Sequence, residues 1–267
     1  MSDPIFPPAD EFANSAHISK AKYDEMYASS VSDPDKFWGE VGKRLDWIKP
    51  YSIVKNTSFA YDNVSIKWFE DGVLNVCANC VDRHLETRGD QTAIIWEGDD
   101  PTVSEHITYN QLHEHVSRLA NAYKSLGVSK GDRVILYMPM IPEAAYAMLA
   151  CARLGAIHSV VFGGFSASSL RDRVEDGGCR FVITADGAFR RGKVLPLKAV
   201  VDEALAVANR IGERIVVIGT STGGTMLGTV LGTERASEIE GAIFISPNFQ
   251  IKNPLARVLT MPAARTW

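Results

Sequence analysis

The middle of the chain alternates short apolar runs with stretches of helical periodicity. Residues 133–137, 158–162 and 180–184 have the length and β-branched content of buried strands. Pro142 opens a helical stretch between the first two runs, and Gly155 closes it. Strands that alternate with helices require crossover connections, so we predict an α/β fold with a mainly parallel sheet and flanking helices.

Further elements are predicted on both sides of this region. Asp33 and Pro34 fit a helix start, and Thr108 with Gln111 fits a capping box. The capping box opens a helix whose apolar positions recur at Leu112, Val116, Leu119 and Tyr123. Strands are predicted at residues 64–68, 92–97, 105–108, 214–218 and 241–246, and helices at 75–85, 195–209 and 221–231.

Composition excludes several classes of function. A net charge of −4 and a pI of 5.9 give no basic surface for nucleic acid. Residues 144–165 form the most apolar stretch, but it contains Arg153, so we predict no membrane span. The N-terminal residues lack the pattern of a signal peptide, and the four cysteines are sparse. We therefore expect reduced thiols and a cytoplasmic protein.

No metal site is predicted. Cys77 and Cys80 have Cys-x-x-Cys spacing but no second ligand pair, and we expect both to pack in the core from within one helix. His113 and His115 point to different faces of a helix, which we expect to be solvated. Glu143 is interpreted as complementing a helix dipole rather than acting as a base.

Six segments in order resemble those of one enzyme family. They are FWGE (37–40), LDWIKPY (45–51), VKNTSF (54–59), TAIIWEGD (92–99), YMPMIPEA (137–144) and FGGFS (162–166). Residues 1 to about 205 thereby resemble the N-terminal part of an AMP-forming acetyl-CoA synthetase. The resemblance implies that acetate, ATP and magnesium give acetyl-adenylate and pyrophosphate, after which coenzyme A displaces AMP.

The resemblance also implies a coenzyme A site. Arg190, Arg191, Gly192 and Lys193 match the family's basic segment, although the family has arginine where this chain has Lys193. Two guanidinium forks, an ammonium and a helix N-terminus predicted near Val194 would suit a phosphate. On spacing alone, a solvated basic turn is the favoured interpretation, and the resemblance reverses that preference.

The resemblance adds the turn Phe162, Gly163 and Gly164 as a neighbour of the same ligand, at the carboxyl end of a strand. The family's Ser/Thr/Gly-rich phosphate loop ending in Lys-Gly has no match among the 267 residues. We therefore expect this chain to be unable to make acetyl-adenylate by itself.

A different signature follows. Gly219-x-Ser221-x-Gly223 between a predicted strand and helix resembles the nucleophile elbow of an α/β-hydrolase. All six histidines precede Ser221, whereas that fold places its histidine after the serine, so a base is missing. A serine that caps a helix is the favoured present role of Ser221.

These patterns predict three regions. An irregular synthetase-type segment spans residues 1–60, a synthetase-like α/β subdomain spans 61–205, and a hydrolase-like strand–elbow–helix–strand piece spans 206–267. The changeover is expected between Pro196 and Asn209. Three hypotheses stay open: a synthetase fragment, a serine hydrolase piece with Ser221 as nucleophile, and an inactive composite.

Overall fold

The chain divides into two compact units. The structure is a computed structural model that describes residues 6–190, 193–207, 216–220 and 241–245. The first unit is Met1–Leu74 and the second is Asn75–Trp267. The boundary predicted at residue 60 falls inside a hairpin of the first unit, and the one predicted at 205 falls inside a helix of the second.

The first unit opens with the helices α1 (Asp10–Ser15), α2 (Lys20–Ser32) and α3 (Pro34–Gly42). The predicted start of α3 is confirmed: Pro34 is its first residue, and the Asp33 carboxylate accepts a hydrogen bond from the Lys36 amide at 3.2 Å. Neither α1 nor α2 has a buried residue. These two helices therefore contribute no side chain to a core.

Two antiparallel strands follow, β1 (Lys55–Ala60) and β2 (Asn63–Trp68). The strand predicted at residues 64–68 is confirmed. Trp68 continues into Phe69, which has a positive φ of 49°. A bulky residue rarely adopts this backbone conformation, so its surroundings must hold it there.

An aromatic cluster supplies that support. The ring of Tyr51 lies 4.9 Å from Trp47 and 4.5 Å from Phe69, measured between centroids. A Cβ on Gly72 would lie 2.6 Å from the Trp47 ring, and one on Gly42 would lie 2.6 Å from the Tyr51 hydroxyl. The rings therefore pack directly on glycine backbone, and no larger residue fits at either glycine.

The second unit begins with α4 (Val76–Cys80), a 3₁₀ turn (Asp82–His84) and α5 (Leu85–Arg88). The single helix predicted at residues 75–85 is wrong, because the backbone leaves the helical region at the fully buried Val81. The expectation that both cysteines of this segment are in the core is half right. Cys77 is buried, whereas Cys80 is exposed.

The antiparallel pair β3 (Thr92–Glu97) and β4 (Ser104–Thr108) leads into α6 (Tyr109–Ser125). The predicted capping box is present, with Thr108 accepting from the Gln111 amide at 3.3 Å and the Gln111 side chain accepting from the Thr108 amide at 2.8 Å. The predicted apolar positions of this helix are all buried, namely Leu112, Val116, Leu119 and Tyr123.

A parallel sheet lies at the centre of this unit. Its strands are β5 (Arg133–Met138), β6 (Ile157–Phe162) and β7 (Phe181–Thr184), in the order β6-β5-β7. The crossovers contain α7 (Pro142–Leu154) and α8 (Ala167–Gly177), and Gly155 ends α7 with φ 74°. The predicted α/β fold with a parallel sheet is confirmed. Every residue of β5 after Arg133 is buried.

After β7 come the short strands β8 (Ala188–Arg190) and β9 (Lys193–Leu195), then α9 (Leu197–Val207). The strands β10 (Val216–Thr220) and β11 (Gly241–Ile245) pair in parallel, and β10 lies alongside β7. The strands predicted at 214–218 and 241–246 are therefore present with shifted ends. The helix predicted at residues 221–231 lies outside the described residues.

Among the helices that the structure describes, none combines the length and the apolar content needed to cross a lipid bilayer.

Candidate functional site: a cleft at the carboxyl ends of the parallel strands

The turn that follows β6 forms one side of a cleft. Gly164 and Phe165 each donate a backbone hydrogen bond to the Phe162 carbonyl, at 2.8 and 3.0 Å. A Cβ on Gly163 would lie 3.1 Å from the Met138 carbonyl oxygen at the end of β5. The turn can therefore lie against the neighbouring strand because residue 163 has no side chain.

A buried hydroxyl holds this turn in place. Tyr137, on β5, donates to the Phe165 carbonyl at 2.8 Å. Burial raises the pKa of Tyr137, so its hydroxyl stays protonated and keeps donating. Ser166 then caps α8, accepting from the Ser169 amide at 3.3 Å. One tyrosine and one serine thus fix the end of the turn where it enters α8.

The opposite side of the cleft is the β8–β9 hairpin and the start of α9. Ala188 pairs with Leu195, Phe189 with Val194 and Arg190 with Lys193. The helix follows directly, and its Lys198 amide donates to the Asp186 carbonyl at 3.1 Å. Burial raises the pKa of the Asp186 carboxyl.

The helix N-terminus predicted near Val194 is wrong. Residues Lys193–Leu195 are a strand, and α9 begins at Leu197, immediately after Pro196. Antiparallel pairing with Ala188–Arg190 engages this segment, so its amides do not form the free end of a helix. The predicted contribution of a helix N-terminus to phosphate binding is thereby removed at this position.

The two sides enclose a cleft of about 360 Å³. Its lining comprises Tyr137, Gly163, Gly164, Phe165, Lys193, Leu195, Pro196, Leu197 and Val200. Most of these are apolar or glycine, and Lys193 contributes the cation. The cleft lies where the parallel strands β5 and β6 end, which is the usual place for a ligand in such sheets.

Three of the residues predicted from sequence lie together in the structure. They are Gly163, Gly164 and Lys193, and all three line the cleft. Phe162 ends β6 one residue earlier, and the ring of Phe162 contacts that of Phe165 with centroids 6.1 Å apart. The backbone of Arg190 pairs with that of Lys193 in the β8–β9 hairpin. Arg191, Gly192 and Ser221 lie outside the described residues.

Sequence reasoning missed the apolar wall. Phe165 directly follows the predicted Gly164, Tyr137 lies on β5, and Leu197 and Val200 occupy the first turn of α9. A signal was available for Tyr137, since it stands near the carboxyl end of a predicted parallel strand. For Leu197 and Val200 the sequence offered no such signal, because their position in the cleft depends on how α9 packs in the folded chain.

The other candidates lie elsewhere and have structural roles. His113 places Nε2 3.8 Å from an Asp82 oxygen, and the ring of His115 stacks on Tyr146 at 4.8 Å. Desolvation raises the pKa of the Glu143 carboxyl at the start of α7. Within the part of the chain that the structure describes, no group of three or more metal-ligating side chains is brought together.

Comparison with known proteins identifies the family. The sequence model of the AMP-binding enzymes matches residues 81–236, which is more than half of the chain. The chain therefore belongs to the family of AMP-binding enzymes. A second model, that of the acetyl-coenzyme A synthetase N-terminus, matches residues 23–80.

Individual relatives agree with this assignment. The chain is 62% identical over 229 residues to an acetyl-coenzyme A synthetase of Methylocella silvestris, which covers 86% of this chain and 35% of the relative. It is 61% identical over 226 residues to one of Methylorubrum populi, with 85% and 35% covered. The chain thus spans about a third of the length of the curated relatives it matches.

The family match extends past the predicted changeover. It ends at residue 236, beyond the interval 196–209 and beyond Ser221. These comparisons give no support to the hydrolase resemblance of residues 206–267 or to a composite chain. Both stay predictions from sequence.

Proposed function

We propose that this chain is the N-terminal part of an AMP-forming acetate–CoA ligase and that its cleft holds part of coenzyme A. The observation that carries the proposal is the convergence of Gly163, Gly164 and Lys193 on one cleft at the carboxyl end of a parallel sheet. The complete reaction would be that of the relatives' class: acetate, ATP and coenzyme A give acetyl-coenzyme A, AMP and pyrophosphate, with magnesium assisting.

The residues of the cleft suit such a ligand. Coenzyme A combines an extended, partly apolar arm with phosphate groups. Gly163 and Gly164 leave room for a chain to run against backbone, and Phe165, Leu197 and Val200 offer apolar contact. The Lys193 ammonium at the rim would pair with a phosphate as a point charge. The resemblance would add Arg190 and Arg191 to the groups that bind the phosphates.

Calorimetric titration of coenzyme A into the 267-residue chain tests the site. Lys193→Ala should weaken binding about tenfold, because a charge-assisted hydrogen bond contributes roughly 1.5 kcal/mol. Arg190→Ala should weaken it as well. The matched control is Lys124→Ala, an exposed lysine at the end of α6 that lies away from the cleft. Absence of binding, or equal weakening by all three variants, would remove the site.

A substitution in the turn tests the glycine requirement. Gly163→Val places a branched side chain against the Met138 carbonyl and fills the floor of the cleft. Coenzyme A binding should be abolished, whereas Phe165→Leu, which keeps apolar contact, should weaken it only a few fold. Unchanged binding by Gly163→Val would show that the ligand does not use this cleft.

Catalysis of the first step is expected to be missing from the chain by itself. No Ser/Thr/Gly-rich run ending in Lys-Gly occurs in the sequence, so the residues that would grip ATP phosphates are not supplied. The 267-residue chain should release no pyrophosphate when mixed with ATP, magnesium and acetate. Sustained release above a protein-free control would contradict this expectation.

The serine hydrolase alternative is weaker. The parallel pairing of β10 with β11 fits a strand–helix–strand unit of either family. The AMP-binding match through residue 236 favours the ligase. A fluorophosphonate probe distinguishes the two, because labelling that disappears in Ser221→Ala would support the hydrolase.

A further inference from the structure

The β1–β2 hairpin has one apolar face. In an antiparallel pair, residues opposite each other share a face, and Phe59 is opposite Val64. Ile66 and Trp68 follow Val64 at alternate positions and so lie on the same face. The four residues Phe59, Val64, Ile66 and Trp68 are named the apolar hairpin face below.

Within the part of the chain that the structure describes, this face is largely exposed, although the Trp38 ring contacts that of Trp68 with centroids 6.2 Å apart. The relative exposures are 74% for Phe59, 68% for Val64, 59% for Ile66 and 42% for Trp68. The opposite face is mainly polar, with Asn56, Ser58, Asn63, Ser65 and Lys67. A sheet with one apolar and one polar face ordinarily packs its apolar face against another layer, and a two-stranded hairpin is only marginally stable without such packing.

We propose that the apolar hairpin face is the docking surface for the remainder of an acetyl-coenzyme A synthetase polypeptide. The remainder means the two-thirds of its relatives that the alignment with this chain does not cover. This inference rests on the proposed function in one respect, since the occupant is identified as synthetase chain. It does not depend on the coenzyme A cleft, which is formed by other residues.

The comparisons indicate this occupant. The whole hairpin lies within residues 23–80, which match the synthetase N-terminus. Relatives about 60% identical to this chain extend to nearly three times the aligned length. A surface within the matched region is therefore expected to have its apolar complement in the additional chain of such proteins.

A second apolar surface of the same unit, exposed among the described residues, supports a large occupant. Tyr23, Tyr27 and Val31 recur every four residues along α2, so they lie on one side of the helix. They are more than half exposed, and the two tyrosine rings are 6.1 Å apart. Because two elements have exposed apolar faces, we expect the occupant to be a folded domain rather than a short peptide.

The charges around the hairpin are mixed rather than basic. Membrane-bound faces are usually rimmed by lysine and arginine. Here the Lys55 ammonium lies 5.7 Å from the centre of the Trp68 ring, and Asp62 occupies the turn between the strands. Lys67 lies on the opposite face and pairs with Glu70, so the described residues do not give the apolar hairpin face the basic rim that a membrane-binding face usually has.

Co-expression tests the proposal directly. The 267-residue chain carries an affinity tag, and the untagged partner is the remaining two-thirds of the Methylocella silvestris relative. Capture of the partner is expected, and Phe59→Asp with Ile66→Asp should reduce it at least tenfold. The matched control, Ser58→Asp with Asn63→Asp, lies on the opposite face and, like the test pair, is not directly cross-strand, so it should leave capture within about twofold. No capture by the unsubstituted chain, or equal loss in both variants, would overturn the proposal.

A second measurement covers the case in which the partner does not accumulate alone. Amide hydrogen exchange of the hairpin is compared between this chain and the intact relative. Exchange at least tenfold slower in the intact relative is expected, and equal rates would overturn the proposal. Self-association of this chain that is lost in Phe59→Asp with Ile66→Asp would assign the face to a second copy instead. Vesicle binding lost in the same variant would assign it to a membrane.

Coenzyme A titration of the same variants separates the two proposals. The hairpin variants should bind coenzyme A as the unsubstituted chain does. If the unsubstituted chain captures the partner but binds no coenzyme A, the cleft assignment fails and the docking surface stands. If coenzyme A binds and partner capture does not depend on the apolar hairpin face, the docking surface fails.

Discussion

Strand β5 of the second unit and strand β2 of the first both contain valine and isoleucine, but these residues have opposite surroundings. Val134, Ile135 and Leu136 in β5 are at most 1% exposed, whereas Val64 and Ile66 in β2 are mostly exposed. β5 has a strand on each side and helical crossovers around it, but β2 pairs only with β1 in the described part of the chain. Burial is therefore decided by the layers that the topology brings to a strand.

The two units consequently have different sources of stability. The second depends on aliphatic side chains buried around a parallel sheet. The first depends on aromatic rings packed on Gly42 and Gly72. It also depends on the carboxylate of Asp71, which binds backbone amides of a neighbouring segment. The Asp71 carboxylate accepts from the amides of Ser52 and Ile53 at 2.9 and 3.0 Å.

The largest expected effect is in the buried strand. Leu136→Ala should lower the free energy of unfolding of the second unit by about 2–5 kcal/mol, because it leaves a cavity in a fully packed site. Ile66→Ala should change that of the first unit by no more than about 1 kcal/mol, because the side chain is already in water. Urea denaturation of both variants measures the difference, and equal losses would show that the hairpin is covered within this chain.

The next largest effect on stability is expected in the aromatic cluster of the first unit. Gly72→Ala should destabilise the first unit by about 1–3 kcal/mol, because the new Cβ would meet the Trp47 ring at 2.6 Å. Gly39→Ala is the matched control in the same unit. Its Cβ would meet only a Val54 methyl, at 3.3 Å, and alanine is favoured in a helix. Thermal unfolding followed by near-ultraviolet circular dichroism checks whether the two alanines differ in this way.

Elements that depend on local side-chain chemistry were predictable from sequence, and elements that depend on tertiary contacts were not. The capping box at Thr108 and the strands of the parallel sheet were predictable, since local side-chain chemistry and apolar runs determine them. The start of α9 at Leu197 was not, because antiparallel pairing with Ala188–Arg190 takes the preceding residues. The exposure of Cys80 was missed because the helix ends where Val81 turns into the core. For the cleft, glycines and charge were predictable, but the apolar wall depended on tertiary packing.

A smaller effect is expected on how the stability of the first unit depends on pH. Hydrogen bonds from Ile53 and Ser52 hold the pKa of Asp71 well below its ordinary value of 3.8. The folded state therefore binds fewer protons than the unfolded state, so this stabilisation is present above about pH 4 and is lost as the pH falls further. Asp71→Asn should lower the unfolding temperature of the first unit at pH 7, and the difference should narrow on acidification below pH 4. A constant difference from pH 7 to pH 3 would contradict the assignment.

The smallest effect has the opposite sign and belongs to the second unit. Burial raises the pKa of Glu143 above its ordinary value of 4.5. The folded state here binds more protons, so acidification from neutral pH towards 4.5 should stabilise the unit. Glu143→Gln should raise the unfolding temperature slightly at pH 7 and less at pH 5. A variant less stable than the parent chain at pH 7 would show that the charged form makes a favourable contact.

The unequal exposure of the cysteines has a practical consequence. Three of the four thiols, those of Cys77, Cys151 and Cys179, are buried with pKa values raised by that burial, while Cys80 is exposed. A maleimide dye added briefly at neutral pH should therefore attach at one position without any engineered substitution. Cys80 belongs to the second unit, whereas Trp38, Trp47 and Trp68 belong to the first. Once Trp96 and Trp267 of the second unit are replaced by phenylalanine, energy transfer from the remaining indoles to the dye would measure the distance between the two units in solution.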